Sequence, residues 1–316
     1  MSLPLRNALD VPSARELARV ARRREIEIIH AHMARDYPLA AFAARRNKNG
    51  RLILTRHVLF PMNRLQTLVL ANVARVIAVS AAVARTLIER RMFESRKIVV
   101  VRNGIDVEHF AQARASLDRQ EFCRRMKIPA DRFLIGTVGE IVKLKGHEDF
   151  VQAASLIAAR IPEAHFIIAG RDHSPLHKNE KSLEELINEV SLSNRIQRFG
   201  WLNNLDELYG ALDVFVSASH SESFGLAIAE AMASGTPAVA TATDGAQEII
   251  EDGIDGRLVP IANPQALAAA VIDLAEHAEE RKRCGDAAQL HARERFGLER
   301  MIAETERVYQ DALGQV

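Results

Sequence analysis

Residues 217–241 read Ser-Ala-Ser-His-Ser-Glu-Ser-Phe-Gly-Leu-Ala-Ile-Ala-Glu-Ala-Met-Ala-Ser-Gly-Thr-Pro-Ala-Val-Ala-Thr. The apolar run 214–217 leads in, and small residues form a loop. An alanine-rich stretch then reads as helix, and Gly235-Thr-Pro237 stops it ahead of a second apolar run at 238–240. Such a strand, loop, helix, strand unit is suited to phosphate. The N–H groups of Ser223, Phe224, Gly225 and Leu226 fall where a first helical turn lacks internal acceptors, and the helix dipole adds partial positive charge there. Gly225 allows a ligand to approach closely. Glu222 and Glu230 lie eight positions apart; if both are helical they are about 80° from eclipsed and can share one face.

Short β-branched runs alternate with helical patterns along the whole chain, the signature of βα units around parallel sheets. The expected class is α/β with two Rossmann-like arrays. The first has strands predicted at 25–30, 51–55, 76–79 and 97–101, with helices such as 13–24 and 81–91 between them. A polar, Ala/Arg-rich stretch running to about residue 127 reads as the connection. The second array has strands predicted at 133–138, 165–169, 196–199, 214–217, 238–240 and 257–259. The first array is therefore short, and residues 1–12 show no opening strand with a glycine-rich loop. The division expected is 1–115, 116–296, and a last helix, 297–316, returning to the first domain.

The chain has 316 residues, 48% hydrophobic and 26% charged, which excludes disorder and fibrous repeats. Its two cysteines, Cys123 and Cys284, are too few and too far apart for a disulfide framework or a C-x-x-C metal site, and a reducing cytosol fits them. No apolar stretch approaches the roughly 20 residues of a membrane span, and no signal-peptide core is evident. The net charge of +1 conceals an asymmetry: residues 1–115 carry 21 Lys or Arg against 9 Asp or Glu, and the remainder 21 against 32. Between Asp36 and Glu89 there is no acid, while Arg45, Arg46, Lys48, Arg51, Arg56, Arg64, Arg75 and Arg85 fall there. An anionic partner for the first half is expected, the alternative being pairing with the acidic second half. Nucleic acid is disfavoured, because aromatic residues are 5% of the chain and no nucleic-acid motif is present.

The string Glu222-Ser-Phe-Gly-Leu-(x3)-Glu230-Ala-Met-Ala-Ser-Gly-Thr-Pro resembles the E-x7-E region of the family 4 (group 1) retaining glycosyltransferases, which have the two-domain GT-B fold. The resemblance runs through nearly the whole chain in order. Gly139-Glu140-Ile-Val-Lys-Leu-Lys145-Gly146 is similar to that family's glycine loop and phosphate-binding lysine, with Glu140 where arginine is common. Gly170-Arg171-Asp172 resembles its Gly-x-Gly strand end, Arg198-Phe-Gly-Trp201-Leu202 its nucleobase wall, and Asp244-Gly245-(x2)-Glu248 its Gly-Gly-x-x-Glu turn. Trp201 reads either as part of that wall or as a packing residue. In the first half, His30-Ala-His32, Thr55-Arg56-His57 and Asn103-Gly-Ile-Asp106 resemble acceptor-domain landmarks.

The resemblance implies two Rossmann-like domains facing a cleft, the first incomplete, with a hinge near residues 103–110. It implies sugar transfer with retention from a nucleotide diphosphate sugar, a UDP-sugar above all, with no metal and no further cofactor. Glu222 and His57 take the catalytic positions, Glu222 orienting the donor sugar. Gly139, Lys145, Arg171, Trp201, Ser223, Phe224, Gly225, Leu226 and Glu230 form the donor site, with Glu230 on the ribose. His30 reads as a hydrogen-bonded core group. The acceptor expected is a glycan or a lipid-linked, lipopolysaccharide-type molecule, met in the cytoplasm or peripherally at the inner face of an anionic membrane. Two other readings stay open: a truncated nucleotide-binding module without transfer, and a GT-B sugar-nucleotide epimerase. A nicotinamide-dependent dehydrogenase is disfavoured because no G-x-G-x-x-G follows the first strand of either array.

Overall fold

The computed structural model describes residues 10–60, 62 and 68–315. Arg64 and residues 1–9, which bear on the charge run and the missing opening element, lie outside the described residues. The chain divides into two compact units, Met1–Asn103 with Glu299–Val316, and Gly104–Leu298.

In the first unit the strands β1 (Ile28–Ala31), β2 (Arg51–Arg56), β3 (Val73–Ala78) and β4 (Ile98–Val100) lie in sequence order, all parallel. Central strands of such a sheet are covered on both faces, so they read as continuous apolar runs; β2 is buried from Leu52 onward. The helix Leu298–Leu313 returns to this sheet: Val308 joins Ile53, Ile77 and Val101 in one cluster, with Met301, Tyr309 and Ala312 packed around it. That spacing of three, four and seven residues is one helical stripe.

The second unit holds β5 (Phe133–Val138), β6 (Ala164–Ala169), β7 (Ile196–Phe199), β8 (Val214–Ser217), β9 (Ala238–Thr241) and β10 (Gly256–Val259) in the order β10-β9-β8-β5-β6-β7. All pairs are parallel. This is the doubly wound order, and its direction of winding reverses between β5 and β8. Ligands of open α/β sheets bind beyond the carboxyl ends of the strands at that reversal. The loops that follow β5 and β8 are the two with the strongest phosphate-binding signal in the sequence.

Three expectations are corrected. The division falls at Asn103 and Gly104, not after residue 115, because the helix Val107–Ala115 packs within the second unit: Arg114 donates to the Gly210 carbonyl, and Phe110 meets Tyr209 edge-on. β1 begins at Ile28, since Glu25 turns out of the preceding helix at φ 51°. Glu222 is not helical. The helix is Leu226–Ala233, entered through Gly225 at φ 107°, so the shared helical face of Glu222 and Glu230 does not exist. Among the described residues no helix is long and apolar enough to cross a membrane.

Candidate active site

At the reversal point the loop after β5 makes a short 3-10 turn, Lys143–Lys145, and Gly146 then opens the helix His147–Arg160. Gly146 has φ 64°, and a Cβ there would stand 1.9 Å from the Ala218 carbonyl oxygen at the end of β8. The two loops are thus in backbone contact, which no side chain would permit. The close approach sets Lys145 over the next loop, where its Nζ donates to Glu222 Oε2 at 2.6 Å. The pair is not sealed: the lysine side chain is 32% exposed and the glutamate 15%.

Beyond Glu222 the loop is pinned by the buried ring of Phe224, which meets Phe296 edge-on at 5.7 Å. It is also held by the Gly245 N–H, which donates to the Glu222 carbonyl at 3.0 Å. The helix Leu226–Ala233 has no side-chain cap, whereas Ser80, Asp106, Asp118, Thr243 and Asn263 cap theirs. Among the described residues the N–H groups of Phe224, Gly225, Leu226 and Ala227 have no acceptor; the first internal bonds come from Ile228 and Ala229 to the Gly225 carbonyl. A lysine ammonium and a row of uncommitted amides at a dipole's positive end are what a pyrophosphate requires.

A pocket beside this corner is lined by Val138, Gly139, Gly170, Arg171, Gly200 and Trp201, among others. Trp201 is 69% exposed, so it is not a packing residue. The Arg171 guanidinium stands over its ring at 5.7 Å, which places that charge at the pocket wall. Glu230 lies on the helix that carries the free amides. Its Oε2 accepts from Tyr209 Oη at 2.8 Å, and burial pushes its pKa up, with the Tyr209 bond opposing. The structure therefore joins Lys145 with Glu222, and Arg171 with Trp201. It gives Glu230 a partner, Tyr209, that no motif singled out; the only trace of it in the sequence is a tyrosine at the end of a helix just before β8.

In the first unit the imidazoles of His30 and His32 lie tilted at 36° with centroids 4.1 Å apart, and His57 Nε2 stands 3.4 Å from His32 Nδ1. His30 is hydrogen-bonded at both nitrogens, to Tyr309 Oη and Thr55 Oγ1, each at 2.7 Å. Burial, then the neighbouring His32 and His57, push its pKa down to about 4. Burial also lowers His32 and His57. A depressed folded-state value favours the neutral ring. The stability it contributes is present above the unfolded value of 6.5 and is lost as pH falls toward 4. Ring-proton NMR is expected to show His30 titrating near 4; a midpoint near 6.5 would contradict the buried, doubly bonded ring. Among the described residues no three His, Cys, Asp or Glu side chains converge on a metal position. Cys123 and Cys284 are buried, and burial pushes both thiols up, so neither is a nucleophile.

With that geometry in place, comparison with known proteins is specific. Residues 118–291 match the family model described as glycosyl transferases group 1, and residues 1–109 that of glycosyltransferase family 4. A D-inositol 3-phosphate glycosyltransferase of Thermomonospora curvata is 31% identical over 71% of this chain and 54% of its own length. An N-acetyl-alpha-D-glucosaminyl L-malate synthase of Bacillus anthracis is 25% identical over 96% of this chain and 80% of its own. The Anabaena protein HepE, solved with UDP-glucose, superposes with a TM-score of 0.83 at 24% identity, covering 94% of this chain and 82% of that one. The fold is GT-B. The chain belongs to the group 1, family 4 glycosyltransferases. It spans about half the length of the inositol-phosphate relatives it matches.

Proposed function

We propose that the chain transfers a glycosyl group from a UDP-sugar to a hydroxyl acceptor, with retention and without a metal. The observation that carries this is the set of uncommitted amides from Phe224 to Ala227 at the start of the helix after β8, with Lys145 on the adjoining loop. The diphosphate takes those amides and Lys145. Arg171 and Trp201 wall the base, Gly139 allows close approach, Glu230 accepts from the ribose, and Ser223 belongs to the phosphate loop. Glu222 orients the sugar, and His57 of the first unit is assigned a catalytic role. In the reaction the anomeric carbon's bond to the β-phosphate oxygen breaks with its electron pair leaving on phosphate. The acceptor oxygen bonds to that carbon and releases its proton. Amides and an ammonium stabilise the departing charge most where water is excluded. The solved relative holding UDP-glucose supports this donor class.

The acceptor we infer to be anionic. Two relatives are named for D-inositol 3-phosphate and for L-malate, both acidic hydroxyl compounds, and the first half of this chain is strongly basic. A lipid-linked or lipopolysaccharide-type glycan at the inner face of a membrane meets the same requirement. Sedimentation with anionic vesicles at low and high salt separates the two: salt-sensitive binding supports the lipid-linked acceptor, and its absence a small acidic one.

Incubation with UDP-glucose and related UDP-sugars tests the activity. Release of UDP only in the presence of an acidic hydroxyl acceptor is expected. UDP binding without any release would support a nucleotide-binding module instead, and a changed sugar nucleotide with no acceptor present would support an epimerase.

A further inference from the structure

Glu230 is fixed by a residue whose own freedom is small. The Tyr209 side chain is wholly buried, meets Phe110 and Phe215 edge-on at 5.9 and 5.6 Å, and its carbonyl accepts from Thr236 Oγ1 at 2.7 Å. A tyrosine has two side-chain torsions, so a ring packed in this way holds its hydroxyl at one point. That hydroxyl donates to Glu230 Oε2, while among the described residues Oε1 has no hydrogen-bond partner, and the glutamate is only half-buried. A glutamate otherwise samples many rotamers, and ordering such a side chain costs about 1.5 to 2 kcal/mol.

We propose that Tyr209 is a positioning residue: it occupies one carboxylate oxygen of Glu230 and thereby presents the other, already oriented, to the ribose hydroxyls of the donor. The inference rests on the reading of Glu230 as the ribose acceptor. An ordered carboxylate meets the ribose without first losing its own freedom, which is the general benefit of preorganisation. The role lies in binding, so it acts on ground state and transition state alike.

The test compares UDP with 2′,3′-dideoxy-UDP as ligands of the unaltered chain, Tyr209→Phe and Glu230→Ala, together with steady-state kinetics. Tyr209→Phe removes one oxygen and keeps the ring packing. It is expected to weaken UDP by about fivefold to tenfold, to leave dideoxy-UDP within twofold, and to raise KM for the UDP-sugar with kcat nearly unchanged. Equal losses for both nucleotides, or no loss for UDP, would overturn the positioning role while Glu230→Ala still shows a ribose-dependent loss. If Glu230→Ala shows no ribose-dependent loss, the ribose reading itself fails, and the inference with it. A UDP-bound crystal structure of the unaltered chain gives a second check that does not depend on a variant folding. It is expected to keep the Tyr209–Oε2 bond with a ribose oxygen on Oε1, and a ribose touching neither carboxylate oxygen would refute the proposal.

Discussion

Replacing Lys145 with alanine is expected to weaken UDP binding by about 100-fold or more while leaving the melting temperature nearly unchanged. A hydrogen bond to a charged group contributes about 1.5 to 3 kcal/mol, which is roughly 10- to 150-fold in affinity. The substitution also leaves the Glu222 carboxylate, now partnered at 2.6 Å by the ammonium, facing an incoming dianion. That repulsion moves the effect to the upper end of the range. The stability cost is small because the lysine is a third exposed, and exposed or half-exposed pairs contribute at most about 1 kcal/mol. Glu222→Gln separates the two halves of the pair. It frees Lys145 from a competing anion, so UDP affinity should hold or rise while sugar transfer falls. The emission of Trp201, the chain's one tryptophan, exposed at the pocket wall, is the convenient readout. Unchanged UDP affinity in Lys145→Ala would remove the lysine from the donor site.

Gly146→Ala is expected to be a severely damaging single-methyl change, costing about 3 kcal/mol or more of stability and abolishing detectable UDP binding. Two effects combine. The residue sits at φ 64°, where a side chain costs about 1 kcal/mol, and its Cβ would lie 1.9 Å from the Ala218 carbonyl oxygen, which is backbone and cannot swing aside. The loop after β5 must then retreat from β8 and take Lys145 with it. Gly253 provides the control: it also has positive φ, 81°, but nothing lies within 4 Å of its added Cβ. Gly253→Ala should therefore show only the conformational cost of about 1 kcal/mol. Thermal melts of the two variants side by side measure the difference. Equal, small shifts would mean that the two loops are not in the contact described.

Much of this architecture was legible in the sequence for identifiable reasons. The bounds of β5 and β8 coincide with the predicted runs 133–138 and 214–217 because each is a largely apolar stretch, and β7 matches 196–199, where Gly200 ends a run bounded by Ile196 and Phe199. β3 starts three residues earlier than the pattern suggests. Arg75 interrupts the run but is half-buried there, its Nε bonded to Asp311 Oδ2 at 2.5 Å, a partner 236 positions away. Local composition carries no trace of such a contact. The same limit applies at the site. The residue types of the phosphate corner can be read from Gly139, Lys145 and the loop at 222–226. The Lys145–Glu222 bond spans 77 positions and exists because the sheet order sets β5 beside β8, while the Tyr209–Glu230 bond spans 21 and joins the helices that flank β8. Whether Glu222 shares the helix of Glu230 is left conditional by the eight-residue spacing, and the left-handed geometry at Gly225 places Glu222 in the loop.

A crystal structure of the chain with UDP decides whether the corner after β8 seats a pyrophosphate. The diphosphate is expected within hydrogen-bond reach of the N–H groups between Phe224 and Ala227, with the Lys145 ammonium turned from Glu222 toward phosphate. A nucleotide bound elsewhere, or that corner left empty at saturating UDP, would contradict the account.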